Sequence, residues 1–157
     1  MKRVILYIGI LALVIAAPVK PMNIGNLRPV QIVSVRKINN WVMVETDTED
    51  KGIGGTIAQA LRNMKDRSDG VIYLDTVEYL MVEKEAEDTI GALAETLKSS
   101  VRLCIAAEAE DLKKAVQFLE SHGGLPKLKH WEKGAELPVI SMFEDSYIFL
   151  KKVENSA

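Results

Sequence analysis

Five groups of residues in this 157-residue chain are of types that could do chemistry. Gly52-Ile53-Gly54-Gly55-Thr56 stands before a helical pattern, and amides at a helix N-terminus bind anions. No lysine follows the glycines, as a phosphate loop requires, and the spacing is not that of a dinucleotide fingerprint. Gly54, Gly55 and Thr56 are thus candidate ligand-binding residues, whose plainer role is a turn with Thr56 as helix N-cap. Cys104, the only cysteine, lies in the apolar run Val101 to Ala106, where a thiol is a small core residue. A nucleophilic thiolate needs exposure and a basic neighbour, and Arg102 is the only cation nearby in sequence. His122 and His130, the only histidines, belong to no metal-ligand pattern. The group Lys127, Lys129, His130, Trp131 and Lys133 mixes basic charge with an aromatic ring. On an exported protein it could touch anionic lipid headgroups, at about 1 kcal/mol per basic residue. The acidic run Glu83, Glu85, Glu87, Asp88 complements the start of a helix and implies no catalysis. No catalytic set, metal set or cofactor loop emerges, and the chain reads as a non-enzyme with no cofactor.

Composition narrows the classes further. With 48% hydrophobic and 27% charged residues, the chain is that of an ordinary globular domain. A formal net charge of −2 argues against nucleic-acid binding, which needs an excess of Lys and Arg to displace counterions. A single cysteine excludes an intramolecular disulfide.

The address comes first in the chain. Lys2 and Arg3 precede an uncharged apolar run, Val4 to Ala17, which is about 21 Å long as a helix. That is short against a bilayer core of about 30 Å and suits the apolar region of a secretory signal. Residues 1–17 therefore read as a signal peptide or short membrane anchor, with a candidate cleavage after Ala16. Residues 18–29, with three prolines and no periodicity, read as a linker. The expected product is an extracytoplasmic domain, membrane-associated or secreted.

The elements that must position these groups alternate. Val30 to Val35 and Trp41 to Thr46 read as strands of a hairpin turned at Asn39-Asn40. The stretch Thr46 to Asp50 reads as solvated. Ile57, Ala60, Leu61 and Met64 predict a first helix, and Ile90, Leu93, Ala94 and Leu97 a second over about Asp88 to Lys98. Leu112, Ala115, Val116 and Leu119 predict a third, stopped by Gly123-Gly124. Val71 to Leu74 and Tyr79 to Val82 predict either two successive strands or one strand bent around Asp75-Thr76, and Val101 to Ala106 predicts a further strand. The fold class is α/β, with α+β as the alternative: one domain with a mixed sheet of about 4–6 strands covered by three helices. The α/β domain is set at 30–124. Residues 125–157 are read as a connector and a terminal strand pair, Pro138 to Phe143 and Tyr147 to Leu150.

The order of these elements resembles the first domain of the spore germinant receptor C-subunit family, the Ger(x)C proteins. Its G-x-T-x-x-x-A helix start looks like Gly54-Gly55-Thr56-Ile57-Ala58-Gln59-Ala60. Its next two strands look like Tyr73-Leu74-Asp75-Thr76 and Leu80-Met81-Val82-Glu83-Lys84-Glu85-Ala86. Ser99-Ser100-Val101-Arg102 and the connector Leu137-Pro138-Val139-Ile140 are similar to later family motifs. The resemblance spans about residues 28–150. The chain departs from the family in three ways. It has no lipid-accepting cysteine within 14–28, has Asp75 where the family has histidine, and lacks the later domains. The resemblance implies a stand-alone interaction domain in spore germination or sporulation, with membrane receptor subunits as partners. Trp131, Tyr147 and Phe149 are expected near one partly exposed interaction patch. The alternative is an exported small-ligand-binding domain using Gly54, Gly55 and Thr56.

Overall fold

Strands rich in β-branched residues recur between helical stripes along the chain, and in the computed structural model, which describes residues 24–107 and 111–153, they form one main sheet. In chain order the elements are β1 (Leu27–Pro29), β2 (Ile32–Ile38), β3 (Trp41–Thr46), β4 (Lys51–Gly54), α1 (Ile57–Arg67) and β5 (Val71–Tyr73). There follow β6 (Tyr79–Glu83), α2 (Ile90–Ala94), β7 (Arg102–Ala106), α3 (Leu112–Ser121), β8 (Val139–Phe143) and β9 (Ser146–Lys151). The main sheet has seven strands in the order β4-β3-β2-β6-β7-β8-β9. Its centre, β2-β6-β7-β8, is parallel, and β3, β4 and β9 are joined through antiparallel pairs. β1 and β5 form a separate parallel pair.

Side-chain alternation divides the interior into two cores. Val33, Val35, Leu80, Val82, Leu103 and Ile105 point to a first face, covered by Ile57, Ala60, Leu61 and Met64 of α1 and by Ile90 and Leu93. Ile32, Tyr79, Met81, Cys104 and Ala106 point to the second face, covered by Leu112, Ala115, Val116 and Leu119 of α3. The predicted helical stripes are thus the buried ones. Asn39 takes a positive φ of 56° in the hairpin turn, as its short polar side chain tolerates. The mixed α+β fold of one domain with three helices is as expected, and the sheet is wider than the predicted 4–6 strands.

Five local expectations change. Lys51–Gly54, read as part of a turn, is a strand paired to β3. The second helix is shorter than Asp88 to Lys98, because Lys84–Thr89 winds as a 3-10 helix that leads into α2. Thr89 turns inward there and its hydroxyl donates to the Ala86 carbonyl (2.6 Å), both residues being buried. Thr46 and Asp50 are buried rather than solvated. Arg28, expected in the linker, reaches Asp50 with one guanidinium nitrogen (3.0 Å) and donates to the Thr48 carbonyl with another (3.0 Å). Residues 27–29 therefore belong to the fold, where β1 pairs with β5. At the other end, β8 and β9 continue the main sheet and Leu125, Leu128 and Leu137 are buried, so no boundary falls at residue 124. Residues 1–17 lie outside the described residues.

Leu93 is fully buried in the first core. Leu93→Ala should cost about 2–5 kcal/mol, as methylene deletions in packed cores do. Urea unfolding followed by circular dichroism measures it, and a loss under about 1 kcal/mol would show that the face opposite α3 is not a packed core.

Candidate functional site

The glycine–threonine segment links β4 to α1. Thr56 has extended backbone (φ −138°, ψ 160°) and its hydroxyl accepts from the Gln59 amide (3.2 Å). Gln59 reciprocates, its side-chain oxygen accepting from the Gly55 amide (2.9 Å). Two amides that an anion would use are therefore satisfied within the chain, in the manner of a capping box. Gly54 has another task. A Cβ on it would lie 2.6 Å from the Ala60 backbone nitrogen, and one on Gly52 would lie 2.0 Å from the Ala60 carbonyl oxygen. Both glycines allow α1 to lie directly on β4. Gly55 and Thr56, without Gly54, line a cleft of about 410 Å³ shared with Lys37, Asn39 and Asp88. Lys37 is ion-paired to Asp88 there (2.6 Å).

The expected aromatic patch does not form. Trp131 packs against the first core, whereas Tyr147 and Phe149 pack with the second, on the opposite side of the sheet. Tyr147 is buried, its hydroxyl accepting from the Asp111 amide (3.4 Å), and the Phe149 ring lies against Phe118 (5.1 Å between centroids) and His122 (5.6 Å). The large apolar side chains that do reach the surface are others. Ile38, Trp41 and Ile53 are exposed by 44%, 53% and 40%. The pairings Ile38–Trp41 and Met43–Ile53 put all three on the second face of β2-β3-β4, beyond the reach of α3's packing. Glu45 lies on the same face and is ion-paired to Lys51 (2.7 Å) and Arg36 (3.5 Å). At the far end of the sheet Phe143, Ile148 and Leu150 are exposed. Sequence reasoning missed the first group and pointed to the C-terminal strand pair for the second, but through Tyr147 and Phe149 rather than these side chains. The available signal was apolar residues at successive positions of Trp41 to Val44, which places some on each face of a strand whose second face has no helix to cover it.

The remaining candidates have structural surroundings. Cys104 is fully buried and desolvation pushes its thiol up to about 12, so no thiolate forms at neutral pH. His122 Nδ1 lies 2.8 Å from the Phe118 carbonyl and 2.9 Å from the Ser121 hydroxyl, next to the Phe118 ring. His130 is exposed, as are Lys127, Lys129 and Lys133, while the Trp131 indole is partly buried with its Nε1 unbonded. In the acidic run, Glu87 pairs with Lys84 and Asp88 with Lys37. Among the described residues, no group of three or more His, Cys, Asp or Glu could hold a metal ion. No described helix is long and apolar enough to cross a membrane. Comparison with known proteins gives no match, whether to a family model, a curated protein or a solved structure.

Two outcomes check this site. Gly52→Ala should destabilise the fold by more than Thr56→Ala, which loses a cap worth about 1 kcal/mol. The Gly52 methyl would collide with helix backbone, which cannot move aside as a side-chain tip can. Equal losses in urea titrations would mean that α1 does not sit on β4 as described. The raised Cys104 pKa has a linked consequence. Below pH 9 the thiol is neutral in both folded and unfolded chains, whereas between pH 9 and about 12 only the unfolded chain ionises it. Stability is therefore lost as pH rises through that window, and the loss should be shallower in Cys104→Ala. Identical pH slopes for the two proteins would show the thiol to be solvated.

Proposed function

We propose that this chain is a non-enzymatic, exported or membrane-proximal interaction domain, which docks a protein partner on the second face of β2-β3-β4. The observation that carries the reading is the grouping of Ile38, Trp41 and Ile53 in the open, beside the Arg36–Glu45–Lys51 ion pairs. An apolar, aromatic-centred patch rimmed by charge is the composition of a binding surface. Trp41 is the natural anchor, since tryptophan is over-represented among the residues that dominate interface energies. The basic start and apolar run of residues 1–17 support export. The resemblance to the germinant receptor C subunit supports a membrane receptor subunit as the partner and sporulation as the setting.

The cleft at Gly55 and Thr56 keeps a small-ligand role as the rival reading, and its walls carry a lysine, two asparagines and an aspartate. One set of proteins separates the two. Affinity-tagged full-length chain, Trp41→Ser and Thr56→Ala are recovered from membranes of a sporulating host, with a reporter active only outside the cytoplasm fused after Ala157. The expected result is reporter activity and co-purification of multi-span receptor subunits with the unaltered chain and Thr56→Ala. Trp41→Ser should lose them by about tenfold, as an anchor residue does, with its melting temperature unchanged. A silent reporter defeats export. Thermal stabilisation by an amino acid or nucleotide that Thr56→Ala abolishes, with subunit capture indifferent to Trp41, would replace the docking reading with ligand binding.

A further inference from the structure

The small parallel pair β1-β5 turns one face inward and one outward. Arg28 is in register with Ile72, whose side chain is buried in the first core. The flanking pairs Leu27–Val71 and Pro29–Tyr73 therefore share the opposite face, and all four residues are apolar or aromatic. Val71 is exposed by 53% and Tyr73 by 43%, Pro29 is exposed and Leu27 is half-buried. This face is separate from the group of Ile38, Trp41 and Ile53, and it lies where the chain enters the fold.

The pair also begins one edge of the molecule. The Gln31 carbonyl, just after β1, accepts from the Glu78 amide (2.8 Å) and the Tyr79 amide (3.1 Å). β1-β5 thus extends the parallel pair β2-β6 beyond its N-terminal end. Hydrogen bonds carry the edge further. The Glu78 carbonyl accepts from the Arg102 amide (2.8 Å), Arg102 bridges to Lys127, and the Ser99 carbonyl accepts from the Lys129 amide (3.0 Å). Lys98 ties this row back to β5, its ammonium donating to the carbonyl of Asp75, two residues after Tyr73 (2.6 Å). Lys98, Arg102, Lys127 and Lys129 are all exposed along the row, and outnumber Asp75 and Glu78 among them two to one. On the other side of β2 the edge turns acidic at Asp47, whose carboxylate accepts from the Gln31 amide (3.1 Å).

We propose that this edge rests on an anionic bilayer, with Val71, Tyr73 and Pro29 at headgroup level and Lys98, Arg102, Lys127 and Lys129 against lipid phosphates. The proposal rests on the membrane-proximal reading above and deepens it by stating which way the domain faces. Two observations select a bilayer as the occupant. The first is the length of chain between the apolar run and the fold. Fully extended, the chain from Ala17 to Ile24 spans at most about 25 Å. That is less than the diameter of about 35 Å that compact-domain scaling gives for a chain of this size. The entry edge is therefore the one held nearest any membrane that Val4 to Ala17 occupies. The second is composition. Tyrosine favours the membrane–water interface, and exposed lysines are drawn to anionic lipid within a Debye length of the surface. Ile38 and Trp41 stand at the opposite end of β2, so the docking surface for a protein partner stays clear of the bilayer. The acidic turn at Asp47 sets the limit of the contact on the other side.

The test uses the full-length chain reconstituted into vesicles of phosphatidylcholine with about 30% phosphatidylglycerol, carrying a fluorophore on one introduced cysteine. Cys104, fully buried, takes no label. A nitroxide on the lipid should quench the label at Val71→Cys about fivefold more than at Phe143→Cys, which is exposed at the opposite end of the strands. Vesicles of phosphatidylcholine alone should lower the Val71→Cys quenching by about threefold, since the lysines lose their anionic partners. Adding Lys127→Glu and Lys129→Glu should lower it similarly in the anionic vesicles. Equal quenching at the two sites, or quenching at Val71→Cys indifferent to phosphatidylglycerol, would overturn the proposal and leave a vesicle-bound chain membrane-proximal. A chain that does not float with the vesicles would overturn the membrane-proximal reading itself. A Val71→Cys label shielded in detergent without lipid, increasingly so with protein concentration, would assign the face to a second copy and overturn the proposal.

Discussion

Helix α1 lies on β4 closer than any side chain at Gly52 or Gly54 would permit, with the Ala60 backbone occupying the space a Cβ would need. Much else depends on this contact. It holds a four-residue strand, too short and too glycine-rich to persist on propensity, at the edge of the sheet. It brings Ile57, Ala60, Leu61 and Met64 over Val42 and Val44, so that the turn end of the β2-β3 hairpin is packed by a helix from one side only. The other side there is left without a helix, while α3 covers Ile32 at the far end of β2. Ile38, Trp41 and Ile53 are exposed as a direct consequence of where α1 has gone, and Thr56 is placed at the mouth of a cleft for the same reason.

The two faces of the sheet are covered unequally. The first receives α1, the 3-10 turn and α2, and the returning segment that carries Leu128 and Leu137. The second receives α3, with Leu125, Ile140 and Tyr147 around it. The centre of the sheet is sealed on both sides, and Cys104 sits there as a packing residue whose ionisation is suppressed by desolvation. The exposed apolar side chains of the main sheet stand at its two margins, and Val71 and Tyr73 are exposed on β5 of the small parallel pair.

Periodicity alone makes the helices legible in the sequence. The spacing of Ile57, Ala60, Leu61 and Met64, and of Leu112, Ala115, Val116 and Leu119, names the residues that are buried. Thr56 is legible as a cap and Asn39 as a turn because their chemistry is local. The unreadable parts depend on contacts between distant segments. β4 has no apolar alternation, and its glycines make sense only against Ala60 and Met64. Arg28 reads as linker because its partner, Asp50, is 22 residues away. Tyr147 and Phe149 do share a face, as strand alternation requires, but Trp131 arrives from a returning segment on the other face. Nothing in the spacing of these three aromatics indicates on which side of the sheet that segment returns. The sequence therefore points to the right end of the chain for an exposed apolar surface, and to the wrong side chains within it.

The position of the chain's entry into the fold bears on how these margins can be used. Residues 28–30 are clamped at both sides: Arg28 by Asp50 and Thr48, and Val30 by the Thr76 hydroxyl, which accepts from the Val30 amide (3.0 Å). Gly70 packs so tightly on the same segment that a Cβ there would lie 2.6 Å from the Asn26 carbonyl oxygen. The chain is thus held to the fold from residue 26 onwards, so that under the proposed membrane-proximal reading a tether ahead of that point would act on a rigid body. Within that body β4 and β9 stand at opposite ends of a seven-stranded sheet, about 29 Å apart at about 4.8 Å per strand. That separation exceeds the Debye length of about 8 Å at physiological salt, so charges rimming one margin do not govern the other.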